Sequence, residues 1–296
     1  MLDKKQGVVI ALGYFDCVHL GHRRVINKAK TLAQQLNCQS AIFTFEGNLR
    51  SALGRGDEKF VYNVQERKSL FEKLGVSNVF FAPVTKEFLS LTAQEFLDFI
   101  NQKYNVLGYV CGKDFRFGKG GLGDGEFLEK YAKANNQIVE IVDILTKNGL
   151  KVSTSLIKTL LSQGDMQSAN ALLDENYVVS GTVFEDRKVG SSLGFPTVNI
   201  KVDKDKQSLK NGVYYGGINI DGVDKKAVIN YGTRPTFNLD NTLIEAHIID
   251  FNGNLYGKTI TLRFDGFLRD IEKFSSAEQL KCQLEKDVEK VRNTND

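Results

Sequence analysis

Long apolar runs are missing from this sequence. No stretch of its 296 residues is apolar enough to cross a bilayer as a helix, and the N-terminus lacks the apolar core of a signal peptide. Cysteine is scarce as well: Cys17, Cys38, Cys111 and Cys282 stand far apart and form no C-x-x-C pair. The expectation is therefore reduced thiols in a cytoplasmic protein, with no disulfide framework. Charge of one sign is also lacking. Thirty-nine Lys and Arg against 36 Asp and Glu leave a formal net charge of +3, too little to draw nucleic acid by bulk electrostatics. The densest lysine run, Lys201 to Lys210, is broken by Asp203 and Asp205 and reads as a solvated loop. There is no internal repeat and no low-complexity tract. Neither nucleic acid nor membrane is an expected partner, and a monomer or weak homo-oligomer is the expected state.

Histidine is rare too, and its placement is the first positive signal. Two of the three histidines fall in Gly13-Tyr14-Phe15-Asp16-Cys17-Val18-His19-Leu20-Gly21-His22. This stretch follows the apolar run Val8 to Leu12 and leads into a helical pattern with Val25, Ile26, Ala29, Leu32, Ala33 and Leu36 on one face. A strand thus delivers a glycine-bearing loop to a helix N-terminus, where unpaired N–H groups and the helix dipole favour phosphate. Metal ligation by the H-x-x-H pair is the competing reading, but no third ligand stands at suitable spacing. Cys17 lies in the same loop, and the phosphate chemistry does not need a thiol there.

With 42% apolar and 25% charged residues, the chain has an ordinary globular composition and enough length for two domains. Its first half alternates strands and helices. Strands are expected at Val8–Leu12, Ser40–Phe45, Asn78–Ala82, Leu107–Cys111 and Ile138–Val142. Helices are expected at Gly21–Leu36, Asn63–Leu74, Ala93–Tyr104 and Gly125–Asn135, the third opened by the capping box Thr92-x-x-Glu95. This spacing predicts a doubly wound parallel sheet with ligands beyond the carboxyl ends of its strands. A second loop at that edge, Gly112 to Asp124, mixes glycines with Lys113, Arg116, Lys119, Phe115 and Phe117, a composition suited to phosphate and a stacked base. Ser153 and Thr154 then open another helix, as caps or as phosphate ligands.

Beyond Tyr177 the pattern turns to β. Val178–Phe184, Val213–Ile220, Lys226–Tyr231, Leu243–Asp250 and Thr259–Phe264 read as strands, and Ser275-x-x-Glu278 caps a C-terminal helix. A small barrel closed by one helix is expected, with domains at 1–175 and 176–296.

The motifs carry a resemblance. Gly13 to His22 is similar to the G-x-F-D-x-x-H-x-G-H motif of HIGH-type nucleotidyltransferases. Leu193-Gly194-Phe195-Pro196-Thr197-Val198-Asn199 is similar to the L-G-x-P-T-A-N segment of riboflavin kinases. Gly232-Thr233-Arg234-Pro235-Thr236, Glu245-Ala246-His247 and Leu268-Arg269-Asp270 with Lys273-Phe274 follow in the same order. Together they resemble the bifunctional bacterial riboflavin kinase/FMN adenylyltransferase family over nearly the whole chain. The resemblance implies ATP-dependent conversion of riboflavin to FMN in the second half and of FMN to FAD in the first. It implies ATP binding in the first half by Gly13, Phe15, Asp16, His19, Gly21, His22, Lys113, Asp114, Phe115, Ser153, Thr154 and Lys158, with His19 and His22 catalytic. In the second half it implies Gly190, Thr197 and Asn199 at Mg²⁺–ATP, with Mg²⁺ on Thr197 and Asn199. Glu245 would be the general base, and Arg269 and Phe274 would contact the flavin.

Three departures from the family pattern bear on activity. T-F-x-P-H-P becomes Thr44-Phe45-Glu46-Gly47-Asn48-Leu49, and S-S-T-R-I-R becomes Ser153-Thr154-Ser155-Leu156-Ile157-Lys158, so an arginine fork is lost at Leu156. Ser191 replaces a basic residue, with Lys188 close by. The alternative is a riboflavin kinase with an impaired adenylyltransferase. A flavin-binding regulator is the alternative from another class.

Overall fold

The structure is a computed structural model that describes residues 6–47, 49–52, 54, 59–76, 78–185, 193–233 and 242–294. The chain divides into two compact units, Met1–Leu156 and Ile157–Asp296.

The first unit is built on β1 (Gly7–Leu12), β2 (Gln39–Phe45), β3 (Val79–Ala82), β4 (Asn105–Gly112) and β5 (Ile138–Val142). They form one parallel sheet in the order β3-β2-β1-β4-β5. The helices of this unit are α1 (Leu20–Gln35), α2 (Leu49–Ala52), α3 (Val64–Lys73), α4 (Lys86–Leu89), α5 (Ala93–Lys103) and α6 (Gly125–Ala134). The strand order reverses between β1 and β4, so the crevice beyond their carboxyl ends is the natural ligand position. Nearly all of β1 is buried, as a strand covered on both faces requires. Val8, Ile10 and Leu12 share one core with Phe43 and Phe45 of β2, Phe96, Leu97 and Ile100 of α5, and Leu128 of α6. The opposite face meets α1, whose Val25, Ile26, Ala29, Leu32 and Ala33 are buried. The box at α5 is present: Thr92 Oγ1 accepts the Glu95 N–H at 3.2 Å, and Glu95 Oε2 accepts the Thr92 N–H at 2.8 Å. The short helices α2 and α4 were not expected, nor was a hairpin of β6 (Thr146–Lys147) and β7 (Leu150–Lys151). Its turn is Asn148-Gly149 with φ of 52° and 77°, the two-residue signal of a tight hairpin.

The second unit contains most of α7 (Thr154–Gln163), all of α8 (Met166–Leu173), and six strands. These are β8 (Tyr177–Phe184), β9 (Thr197–Lys201), β10 (Gly212–Ile220), β11 (Val223–Thr233), β12 (Thr242–Ile248) and β13 (Thr259–Arg269), closed into a barrel in the order β10-β11-β12-β9-β8-β13. Five of them were expected. The sixth, β9, comes from the Leu193–Asn199 motif and joins β8 to β12, which leaves the sheet without an edge. Period-two alternation buries Ile244, Ala246 and Ile248 and turns Leu243, Glu245 and His247 to the outer wall. There α9 (Ala277–Arg292) packs Val288 and Val291 on Val213, Tyr215, Val228 and Ile249. Its cap is Ser276, one residue later than expected, and it accepts the Gln279 N–H at 3.3 Å. The Lys201–Lys210 run is also less solvated than its composition implies. Lys206 is buried with its ammonium 5.2 Å from the Tyr177 ring, and Val202 and Leu209 are buried beside it. Among the described residues no helix is long and apolar enough to cross a membrane.

Candidate active sites

In the first unit, the loop from β1 into α1 is shaped by its aromatic rings. His19 caps α1, its Nδ1 accepting the His22 N–H at 3.1 Å, and the two imidazoles stack with centroids 3.6 Å apart. Phe15 stands edge-on to His22 at 5.2 Å. A Cβ on Gly13 would come within 2.6 Å of the Phe15 ring, and one on Gly21 within 3.0 Å of the His19 ring. Both glycines therefore leave room for neighbouring side chains in the same motif. Phe15 and Val18 take positive φ, 46° and 48°, a strained geometry for a β-branched residue and one that concentrates at functional loops.

The loop is tied down from behind. Asp16 is buried, and its Oδ1 accepts the Val61 N–H at 3.0 Å. Arg67, also buried, donates to the carbonyls of Tyr14 at 3.2 Å and Phe45 at 2.7 Å. Sequence reasoning missed Arg67, which lies on α3 outside any motif; only the fold brings it to the loop.

A cavity of about 320 Å³ opens over this loop. It brings together Gly13, Phe15, His19, Gly21 and His22 with Asp114 and Phe115 from the loop after β4, and with Ser153 and Thr154 at the start of α7. Asp16, Lys113 and Lys158 do not line it. Lys113 pairs with Asp143 at 3.2 Å, and Lys158 lies on α7 in the second unit. Two further cations do line it, Arg116 and Lys151, the latter 2.5 Å from Asp114. Lys151 was legible only through the hairpin signal at Asn148-Gly149. Asn48, in the altered T-F-x-P-H-P segment, lies outside the described residues.

Folding supplies what the H-x-x-H pair lacked in sequence. Ligand atoms of Cys17, His19 and His22 lie within 4.8 Å of one another. The Cys17 Sγ is also 3.4 Å from Thr154 Oγ1.

Burial lowers the His19 pKa from 6.5 to about 4, with Asp114 opposing and Lys151 reinforcing the shift. Burial and the adjacent His19 push His22 well below its usual range. Both rings are neutral at pH 7. Acidification from pH 7 to 5 is expected to cost about 2 kcal/mol of stability at His19 alone, because the unfolded imidazole takes a proton that the folded one refuses. The loss begins as pH falls below 6.5 and is complete below about 4. Urea unfolding at the two pH values checks this, and a His19→Gln variant should lose that part of the dependence.

The second site lies on the outer wall of the barrel. In the β9–β12 pairing Thr197 stands opposite His247, and Asn199 opposite Glu245. Thr197 Oγ1 donates to Glu245 Oε1 at 3.0 Å. The Asn199 Oδ1 is buried and has no hydrogen-bond partner among the described residues. Two cavities share Thr197. The larger, about 250 Å³, includes Phe195, Glu245, Arg269, Phe274 and the α9 residues Leu284 and Asp287. The smaller, about 100 Å³, includes Pro196, Phe251 and Tyr256. Arg269 is gripped by Asp287, with Nη2 donating at 2.7 Å and Nε at 3.0 Å. His247 Nδ1 lies 2.9 Å from the Pro196 carbonyl, which ties the Leu193–Pro196 turn to β12. Asp287 had no sequence signal beyond its place on an amphipathic helix. Gly190 lies outside the described residues, as do Lys188, Ser191, Arg234, Pro235 and Thr236.

Comparison with known proteins covers both units. Residues 2–156 match the FAD synthetase family and residues 173–295 the riboflavin kinase family. A bifunctional riboflavin kinase/FMN adenylyltransferase of Listeria monocytogenes is 35% identical, over 96% of this chain and 91% of its own. The protein of the same description from Bacillus subtilis is 33% identical, over 96% and 91%. Among solved structures, a Streptococcus pneumoniae protein described as a macrolide-efflux protein superposes with a TM-score of 0.89 at 27% identity, covering 99% of this chain and 96% of its own. With the two half-chain matches in this order and full-length relatives of this identity, the chain belongs to the bifunctional riboflavin kinase/FMN adenylyltransferase family.

Proposed function

We propose that this chain makes FAD in two ATP-dependent steps. Riboflavin is phosphorylated at its 5′-hydroxyl to FMN by residues 176–296, and FMN is adenylylated to FAD, with release of pyrophosphate, by residues 1–175. Family membership supports both reactions. The observation that carries the reading is the Thr197–Glu245 hydrogen bond at the point where two cavities meet.

In the kinase, Glu245 accepts the proton of the flavin hydroxyl as its oxygen attacks the γ-phosphorus of ATP and ADP leaves. The larger cavity, with Phe195 and Phe274 in its wall, suits the flavin ring, and Arg269 supplies a cation held in place by Asp287. The smaller cavity suits the nucleotide. The donor set fits Mg²⁺: the Asn199 Oδ1 is a buried oxygen in need of a partner, and Thr197 donates its hydroxyl hydrogen bond to Glu245 while keeping lone pairs for a hard cation. When bound, Mg²⁺ neutralises phosphate charge.

In the adenylyltransferase, a phosphate oxygen of FMN attacks the α-phosphorus of ATP and pyrophosphate leaves. His19 and His22 hydrogen-bond the phosphates and stabilise charge growing there, aided by the dipole of α1. Arg116 and Lys151 add positive charge, and Ser153 and Thr154 add hydroxyls.

Leu156, in place of an arginine, favours a second reading: a riboflavin kinase whose adenylyl transfer is slow or lost. Incubating the purified chain with riboflavin, ATP and Mg²⁺ and separating the flavins decides between them. FAD is the expected end product. FMN that accumulates without FAD selects the second reading, and no turnover at all overturns both.

A further inference from the structure

We propose that Cys17, His19 and His22 form an inhibitory site for a thiophilic divalent cation, with zinc as the fitting ion, which silences adenylyl transfer. This rests on the reading of the two histidines as nucleotide ligands. The three ligand atoms lie within 4.8 Å of one another. One sulfur and two imidazole nitrogens are a donor set that zinc takes, with a fourth position left for water or solute. Cys17 is 1% and His19 6% exposed, and the His22 Nδ1 is buried without a hydrogen-bond partner among the described residues.

Tetrahedral zinc with bonds of about 2.0–2.3 Å would draw these atoms together by roughly 1 Å. Stacked rings turn their edges the same way, so the imidazoles must also tilt toward each other about χ2, a soft torsion. The thiol proton leaves to solvent, and the sulfur exchanges its contact with Thr154 for the metal. His19 and His22 line the cavity, so an ion entering through it meets them first. Magnesium, which prefers oxygen, is not selected by this donor set. Zinc and ATP compete for the same imidazoles, whereas the barrel site has no part in the contest. A thiophilic metal would therefore turn a two-step enzyme into a producer of FMN.

The test uses the full chain stripped of metal. Titration with Co²⁺ is expected to give a thiolate-to-cobalt charge-transfer band at one ion per chain, displaced by zinc and missing in Cys17→Ala. In a separate assay, zinc should inhibit FAD formation from FMN and Mg²⁺–ATP, with relief by more ATP or by a chelator, while FMN formation from riboflavin continues. Cys17→Ala should need at least roughly tenfold more zinc for the same inhibition. Absence of the band, equal zinc sensitivity of Cys17→Ala, or equal inhibition of both reactions would overturn the proposal. If the chain makes no FAD even without zinc, the adenylyltransferase reading fails, and the cobalt spectrum still decides whether the site exists.

Discussion

Glu245→Gln is expected to lower the rate of riboflavin phosphorylation by roughly 10²- to 10⁴-fold, the range for loss of a positioned general base. Glutamine nearly matches glutamate in shape, and its side-chain oxygen still accepts the Thr197 hydroxyl that sits 3.0 Å from Oε1 in the native site. What it cannot do is take the proton from the attacking flavin hydroxyl. The loss should therefore appear in kcat with little change in KM for riboflavin, and adenylylation of supplied FMN should proceed at the native rate. An unchanged kcat would remove Glu245 from the chemistry. The result also separates an enzyme from a flavin-binding regulator, which has no turnover to lose.

The second large effect is expected in the first unit. His22→Ala should reduce FAD formation by roughly 10²- to 10³-fold, as loss of one donor aimed at developing charge does elsewhere, and leave riboflavin phosphorylation intact. His22 is the sharper probe of the pair. His19 also caps α1, so its removal mixes a helix-capping loss with any catalytic one. His22→Asn keeps a hydrogen-bond donor and should recover part of the rate, which a purely structural defect would not allow. Retention of native FAD synthesis by His22→Ala would exclude the histidine pair from phosphate stabilisation.

The two sites were legible in the sequence to different degrees. Thr197, Asn199 and Glu245 were expected at one site from motif order alone, and the β9–β12 register brings them side by side. In the first site, most of the expected residues do line one cavity. Asp16 was placed there as well, yet it turns inward to the Val61 N–H, because a buried carboxylate must find donors and the folded chain supplies one from 45 residues away. Lys113 and Lys158 do not line that cavity. Arg67 and Asp287 reach the sites from elements without a motif, so no local pattern could announce them, and Lys151 comes from a hairpin marked only by Asn148-Gly149.

Alone, the sequence determined the two-domain plan: a parallel α/β sheet in the first half, a β-barrel in the second, and a glycine-bearing loop between the first strand and helix. Those features follow from hydrophobic period, turn residues and helix caps, whose physics acts over a few residues. Only the tertiary structure decided that Thr197 bonds to Glu245, that Asp287 grips Arg269, and that Arg67 reaches the carbonyls of Tyr14 and Phe45. Such contacts depend on strand register and on which side chains share a buried volume, and these are set by the packing of segments far apart in the chain.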